Sequence, residues 1–205
     1  MLSPRLLAIA SFIKKDAIVL DVGTDHAYLP IYLVKNKLCK KVMASDISES
    51  ALQNAKNNLK RFNIKNIDLF LTDGIDGIKE KYDTLTISGM GTNTIKNILN
   101  NHKLPKYIIL SSNNNLEELR LFMNKKNYKI NEEIAVLDHG KYYDIILYEK
   151  GIEILSKKEL IYGKCHNKNY FKYLYLKQKY IFREMNLKNK VKNLPKLIQL
   201  KLMSI

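Results

Sequence analysis

The segment Leu20-Asp21-Val22-Gly23-Thr24-Asp25-His26-Ala27 ends one regular element and begins another. Its first residues close an apolar run, Ala17 to Val22, which is typical of a strand buried on both faces of a parallel sheet. Gly23 allows a sharp turn, and the apolar stretch Tyr28 to Val34 predicts a helix after it. Because open α/β sheets bind ligands beyond the carboxyl ends of their strands, the sequence predicts an α/β fold with its ligand over this turn.

Strands and helices continue to alternate along the chain. Two β-rich segments at the end of this region, Tyr128 to Leu137 and Tyr142 to Glu149, flank a turn with Gly140 and predict a hairpin. The alternation predicts a doubly wound, Rossmann-like, mostly parallel sheet of seven strands, closed by an antiparallel C-terminal hairpin. The other predicted strands are Lys41–Ser45, Ile67–Leu71, Thr84–Ile87 and Tyr107–Ser111, and the other predicted helices are Ser48–Phe62, one around Ile95–Leu99, and Leu116–Lys126.

The N-terminal segment and the cysteines bear on the compartment. Ser3 and Pro4 are suited to begin a helix, and the apolar stretch Leu6 to Ile13 is too short for a bilayer and is followed by two lysines. Cys39 and Cys165 show no spacing typical of a disulfide framework or a zinc site. We expect a cytoplasmic monomer without a metal or a membrane partner.

Positive charge is concentrated in the last quarter of the chain. The formal net charge is +15, and residues 151–205 contribute 13 Lys and Arg against only 3 Asp and Glu. The sequence thus predicts a domain at 1–150 and a smaller basic helical domain at 151–205. Such a basic domain favours binding to a polyphosphate such as a nucleic acid, because each phosphate contact releases counterions. Biased nucleotide composition of the gene is the alternative explanation of the lysines.

The basic segment also carries aromatic residues at helical spacing. Asn169 to Lys190 predicts helices in which Lys172, Lys179 and Arg183 surround a stripe of tyrosines. Aromatic rings beside lysines can stack on unpaired bases, whereas rings at helical spacing are more often core. The three cations are therefore candidate RNA-binding residues, together with Arg5 on the first helix.

Three acids follow three successive strands. Gly23 lacks the second and third glycines of the dinucleotide fingerprint, and Asp25 stands where a pyrophosphate would have to approach. An aspartate there suits a cationic ligand such as S-adenosylmethionine. Asp46 lies about twenty residues further on, where an acid takes ribose hydroxyls, and Asp73-Gly74 follows the next strand. We interpret this set as a site for an adenosine-containing cation.

The segment Gly89-Met90-Gly91 follows the fourth strand and is the candidate acceptor side of the site. Glycines there let a flat base approach the backbone, although a plain helix N-terminus also explains them. Thr92 and Asn93 are candidates for hydrogen bonds to a base edge. Asn113 to Asn115 either do the same or cap the next helix.

Several motifs in order resemble the TrmK family of bacterial tRNA (adenine(22)-N1)-methyltransferases. They are DVGTDHAYLP (21–30), SDIS (45–48), DGI (73–75), SGMG (88–91) and YYDII (142–146), and they precede Tyr162-Gly163 and a basic tail. The resemblance implies a class I methyltransferase fold, S-adenosylmethionine as cofactor and tRNA as partner.

The resemblance also implies roles for individual residues. Asp25, His26 and Tyr28 lie nearest the expected reaction centre, where Asp25 or His26 could accept a proton; holding the cofactor or the loop is the alternative. The residues implied to bind the cofactor are Asp21, Gly23, Thr24, Asp25, His26, Asp46, Ile47, Asp73, Gly74, Gly89 and Met90.

Three positions depart from the family pattern. Thr92 stands where the family has a further glycine, Ser112 where it has proline, and Lys164 where a proline follows the glycine. The first two border the expected acceptor pocket. Two alternatives therefore remain: the protein methylates another RNA site, or it binds RNA through a methyltransferase fold that has lost activity. A third, a nicotinamide-dependent oxidoreductase, is disfavoured because the second and third glycines of the dinucleotide fingerprint are missing.

Overall fold

A computed structural model describes residues 2–165 and 167–205. A seven-stranded sheet has the order β3-β2-β1-β4-β5-β7-β6, in which β5, β7 and β6 pair antiparallel and the other neighbours pair parallel. The strands are β1 (Ile18–Val22), β2 (Lys41–Asp46), β3 (Ile67–Leu71), β4 (Thr84–Met90), β5 (Tyr107–Ser112), β6 (Tyr128–Asp138) and β7 (Lys141–Lys150). The predicted Rossmann-like fold with a terminal hairpin is confirmed.

Helices cover both faces of the sheet. The covering helices are α1 (Pro4–Ser11), α2 (Tyr28–Lys35), α3 (Glu49–Arg61), α4 (Thr92–Leu99) and α5 (Leu116–Lys125). Further helices follow the sheet in the chain: α6 (Lys157–Tyr162), α7 (Lys168–Glu184) and α8 (Leu187–Met203). Ser3 caps α1 and Ser48 caps α3, as their side-chain oxygens accept the amide hydrogens of Leu6 and Ala51.

Two apolar layers hold the helices to the sheet. One layer packs α1, α2 and α3 on a face that includes Val19, and the other packs α4 and α5 on the opposite face with Leu20 and Val22. Side chains alternate across the sheet because successive residues of a strand point to opposite faces. Both faces of β1 are therefore buried, and only its carboxyl end is left to meet a ligand.

The chain divides into two compact units, one ending at Lys164 and the other running from Cys165 to Ile205. The sequence places this boundary near residue 150, whereas the structure adds α6 to the first unit. The cause is Arg120, a side chain with 1% exposure on α5, whose Nη1 donates to the carbonyl oxygens of Leu160 (3.0 Å) and Ile161 (3.4 Å). The last turn of α6 is thereby held to α5.

A buried ion pair completes this junction. Arg120 donates to Oε1 of Glu133 from Nε (3.1 Å) and from Nη2 (2.5 Å), and Oε2 of Glu133 accepts the Lys164 amide hydrogen at 2.7 Å. A register shift between Ile130 and Glu132 marks a bulge in β6, next to the buried Glu133. Charges buried this deeply are tolerated only when paired and hydrogen-bonded.

The second unit contains the α7–α8 helix pair. Asn167 and Asn186 cap these helices by accepting the amide hydrogens of Tyr170 (3.1 Å) and Asn189 (3.0 Å). The predicted aromatic stripe is buried at one end of α7 and exposed at the other, since Tyr170 is buried and Tyr180 is 71% exposed. Across the described ranges, no helix is long and apolar enough to cross a membrane, and no group of His, Cys, Asp or Glu side chains is arranged to hold a metal ion.

Glu133→Gln leaves Arg120 buried without its main counter-charge. We expect a loss of about 3 kcal/mol in the free energy of unfolding, measured by urea denaturation. Asp68→Asn is the control, because Asp68 pairs with Lys41 at 2.7 Å with both side chains about half exposed, and such pairs contribute about 1 kcal/mol or less. Equal losses for the two variants would contradict a structural role for the buried pair.

Candidate cofactor and acceptor site

The turn after β1 is fixed to the end of β2. The amide hydrogens of Gly23 (2.9 Å) and Thr24 (3.1 Å) both point to the carbonyl oxygen of Ser45. Three residues of the turn adopt positive φ: Gly23 (71°), Asp25 (50°) and Ala27 (55°). Two of them carry side chains that disfavour this conformation, and such strain concentrates at ligand-binding loops.

The buried carboxylate of Asp21 holds this turn through hydrogen bonds. It accepts hydrogen bonds from the hydroxyls of Thr24 (2.8 Å) and Thr86 (2.6 Å). Burial raises the pKa of Asp21 from 3.8 to about 6, although the two threonine hydrogen bonds act to lower it. Of the residues predicted to bind the cofactor, Asp21 and Thr24 thus bond to each other, and both hold the turn in place.

Asp46 ends β2 beside the turn. Its Oδ2 accepts the amide hydrogen of Asp25 at 3.0 Å, and its Oδ1 accepts that of Ser48 at 2.9 Å. Two fixed donors orient the carboxylate, and each oxygen keeps a further lone pair for a ligand hydroxyl. Ile47 follows with 68% exposure and offers an apolar surface.

The third strand end is tied to the second. The hydroxyl of Ser45 donates to the carbonyl oxygen of Gly74 at 2.8 Å, while Asp73 is exposed. Gly74 has φ +63°, and a Cβ there would lie 2.9 Å from Ile98. A residue with a side chain at this position would therefore collide with α4.

Gly23 and Met90 face each other across the site. A Cβ added to Gly23 would overlap Cε of Met90, the far end of a flexible side chain, and φ at Gly23 is +71°. The backbone conformation therefore favours glycine at this position, whereas the Met90 side chain can rotate to make room for a Cβ.

These groups fit an adenosyl ligand better than a nucleotide. Asp46 can accept from a ribose diol, Ile47 can cover a planar base, and exposed Asp25 and Asp73 favour positive charge nearby. A pyrophosphate at this turn would meet the carboxylates of Asp25 and Asp46, with no second glycine to let it approach.

The three predicted catalytic residues lie together at the start of α2. The His26 Nε2 atom is 3.6 Å from Oδ2 of Asp25, and the His26 ring stacks on Tyr28 with centroids 5.3 Å apart and 25° between the planes. The side chains of Asp25 and His26 are 66% and 41% exposed, and Tyr28 is 48% exposed. All three can therefore meet a substrate.

The acceptor side joins the ends of β4 and β5. Asn113 donates from Nδ2 to the carbonyl oxygen of Gly89 at 2.7 Å. Its backbone amide donates to the carbonyl oxygen of Met90 at 2.9 Å. These bonds hold the Gly89-Met90 backbone. Asn113 is itself exposed and could also meet a base.

The two departures from the family pattern contact each other. The hydroxyls of Thr92 and Ser112 lie 2.9 Å apart, and both reach the carbonyl oxygen of Asn114, at 2.7 and 2.9 Å. Thr92 is fully buried, so its expected hydrogen bond to a base edge is wrong; Asn93 remains exposed. The alternative that Asn113 to Asn115 cap the next helix is wrong, because Asn115 precedes α5 without a side-chain capping hydrogen bond. Oδ1 of Asn114 instead accepts the Thr92 amide hydrogen at 3.0 Å, at the start of α4.

The candidate RNA-binding residues occupy both units. Arg5 lies on α1 with its guanidinium carbon 4.8 Å from the Tyr143 ring centroid, a packing contact that leaves it half-buried. Lys172, Lys179 and Arg183 are exposed on α7, and their spacing of seven and four residues places them along one side of that helix.

Two supporting residues were missed by sequence reasoning. Ser45 connects the turn after β1 with Gly74, and Thr86 holds Asp21 from β4. Both are small hydroxyl residues that the sheet buries almost completely. A buried hydroxyl needs a partner, and that requirement is the signal that could have revealed them.

Comparison with known proteins places this geometry among methyltransferases. Residues 2–146 match the methyltransferase domain family. The tRNA (adenine(22)-N(1))-methyltransferase of Bacillus subtilis is 32% identical over 156 residues, an alignment that covers 73% of this chain and 66% of that enzyme.

Solved structures match over nearly the whole chain. The Mycoplasma capricolum TrmK structure with S-adenosyl-homocysteine is 32% identical in sequence and has a TM-score of 0.83. The alignment covers 99% of this chain and 96% of that chain. A Streptococcus pneumoniae protein solved with S-adenosyl-L-methionine is 28% identical, with a TM-score of 0.90 and full coverage of both chains.

Gly23→Ala is expected to abolish binding of S-adenosylhomocysteine in calorimetric titrations, because the new methyl group would strain the turn that holds Asp25 against Asp46 and would displace the Met90 side chain. Gly140→Ala is the matched control, since Gly140 has φ +76° and nothing within 4 Å of an added Cβ. Both variants should lose about 1 kcal/mol of stability to backbone strain, but only Gly23→Ala should lose the ligand. Normal binding by Gly23→Ala would remove this contact from the site.

Asp21→Asn tests the buried carboxylate through the pH dependence of stability. Because the pKa of Asp21 rises from 3.8 to about 6 on folding, its stabilising contribution is present below pH 4, falls as the pH rises to about 6 and stays low above it. The stability of Asp21→Asn relative to the parent should therefore rise by about 2 kcal/mol between pH 4 and pH 7, measured by urea denaturation without ligand. A difference that does not vary with pH would refute the raised pKa.

Proposed function

This chain belongs to the TrmK family of methyltransferases, and we propose that it transfers a methyl group from S-adenosylmethionine to N1 of an adenosine in tRNA. The proposed target is position 22, the nucleotide in the name of the Bacillus subtilis relative. The observation that carries the proposal is the carboxylate of Asp46, oriented by two backbone amides beside a glycine turn that has no room for a phosphate.

The cofactor supplies an electrophilic methyl group on a sulfonium centre. Asp46 would hold the ribose hydroxyls, Ile47 would cover the adenine, and Asp73-Gly74 would border the adenine edge. Gly23 and Gly89-Met90 would form the walls between which the methyl group is presented. Asp21 and Thr24 would act indirectly, by keeping the turn in shape.

The acceptor base must be unpaired before its N1 can be reached, because N1 lies on the Watson–Crick edge. Neutral adenine has a lone pair on N1, so no base is needed to activate it. After transfer the exocyclic amine loses a proton more easily, and the exposed carboxylate of Asp25 or the ring of His26 can accept it. Tyr28 offers a ring on which the adenine can stack, and most of the acceleration would come from orientation.

The basic second unit would grip the tRNA. Lys172, Lys179 and Arg183 are exposed along one side of α7 and suit a phosphate backbone. Arg5 is a weaker candidate because its guanidinium already packs on Tyr143. A tRNA substrate places this activity in the cytoplasm.

The test is transfer of labelled methyl from S-adenosylmethionine to an unmodified tRNA transcript, with the product nucleoside identified by mass. We expect 1-methyladenosine, and no product on a transcript with guanosine at position 22. Asp46→Asn should lower cofactor affinity at least tenfold, because a charged hydrogen bond contributes about 1.5–3 kcal/mol. Asp68→Asn, an exposed aspartate on β3, should leave that affinity unchanged.

Three other outcomes separate the alternatives. Methyl transfer to a different nucleotide would keep the chemistry and reject the position. Binding of tRNA without binding of S-adenosylmethionine would identify an RNA-binding protein that has lost activity. Binding of NADH in place of S-adenosylmethionine would contradict the whole assignment.

A further inference from the structure

A hollow beside the reaction site has walls that the proposed methyl transfer does not explain. It lies between the segment that leads into α1, helix α2 and the end of α3, and it encloses about 530 Å³. Ligand pockets typically enclose a few hundred to about 1,000 Å³. We call this hollow the α1–α2 pocket; it is lined by nine residues between Leu2 and Phe62.

Aromatic rings form much of its surface. Tyr28 and Tyr32 lie one helical turn apart on α2, and Phe62 follows the last turn of α3. Tyr28 is 48% exposed and Phe62 37% exposed, which is unusual for rings that could be buried. Exposed rings around a cavity provide faces on which a planar, apolar group can stack.

The charge at the pocket is positive. Lys35 is a lining residue whose Nζ lies 4.8 Å from the Phe62 ring centroid, and the guanidinium carbon of Arg61 lies 5.7 Å from the same ring. None of the nine lining residues is acidic. Both cations lie over the ring, so a base that stacks on Phe62 would displace these long side chains, which could then pair with the phosphate of that base.

The pocket begins where the reaction site ends. The Tyr28 ring lines the pocket and also stacks on His26, with centroids 5.3 Å apart. A strand of RNA that placed its target base against Tyr28 would therefore carry its next nucleotide along α2. Along this path the lining residues are first the aromatic rings of Tyr28 and Tyr32, and then the Phe62 ring together with the cation of Lys35.

We propose that the α1–α2 pocket binds the nucleobase next to the target adenine, unpaired and stacked on Phe62, with its phosphate on Lys35 and Arg61. This inference rests on the proposed function for the identity of the RNA. It assigns to the catalytic unit a second point of contact with the substrate, one that holds the RNA strand open beside the methylated base.

The experiment measures tRNA affinity by fluorescence anisotropy, alongside S-adenosylmethionine affinity by calorimetry. Phe62→Ala should weaken tRNA binding about tenfold through lost stacking, and Phe62→Tyr should restore it. Lys35→Gln should lower the slope of log affinity against log salt by about one. Lys103→Gln, an exposed lysine on the loop before β5, is the charge-matched control for total affinity. Cofactor affinity should be the same in every variant.

Substrates lacking one base supply the specific readout. A tRNA without the base on one particular side of the target should bind the parent more weakly, and Phe62→Ala should then cause no further loss. The proposal is overturned if Phe62→Ala binds tRNA as tightly as Phe62→Tyr does. It is also overturned if the loss of affinity caused by Phe62→Ala adds in full to the loss caused by a missing base, whichever side of the target that base is on. Binding is measured without catalysis, so these results stand even if the parent transfers no methyl group, which would instead reject the proposed function.

Discussion

The geometry of the site depends on a carboxylate that folding buries. Asp21 is held between hydroxyls of the turn that follows its own strand and of the neighbouring strand β4. Burial disfavours its charge and raises its pKa, which is a cost that folding must offset. In return the turn keeps a strained shape with three positive φ angles. The backbone amide of Asp25 can then donate to the carboxylate of Asp46, which ends the neighbouring strand β2.

A second buried charge has a different role. Arg120 and Glu133 lie away from the candidate site and join α5, β6 and the end of α6 through one set of hydrogen bonds. Gly163 closes over them, since a Cβ there would lie 2.5 Å from the Glu133 carboxylate. The pair thereby sets where the first unit ends, and it leaves the basic helices α7 and α8 to a separate unit.

Sequence reasoning recovered what depends on local pattern and missed what depends on distant pairing. The doubly wound sheet with its terminal hairpin followed from alternating apolar segments. Asp46 and Asp73 were proposed as site residues because they follow successive strands. Thr92 illustrates the limit: it was expected to meet a base, but its hydroxyl is buried against Ser112, twenty residues away in the chain. The late boundary at Lys164 has the same cause, because Arg120 reaches carbonyl groups 40 and 41 residues further on.

We expect the ends of β1, β2 and β3 to form one binding site for an adenosyl ligand. A crystal structure of this protein with S-adenosylhomocysteine tests this site. Ribose hydroxyls should lie within hydrogen-bond distance of the Asp46 carboxylate, the adenine beside Ile47 and Asp73-Gly74, and the sulfur near Gly23 and Met90. A ligand bound elsewhere, or one whose ribose leaves Asp46 unbonded, would contradict this expectation.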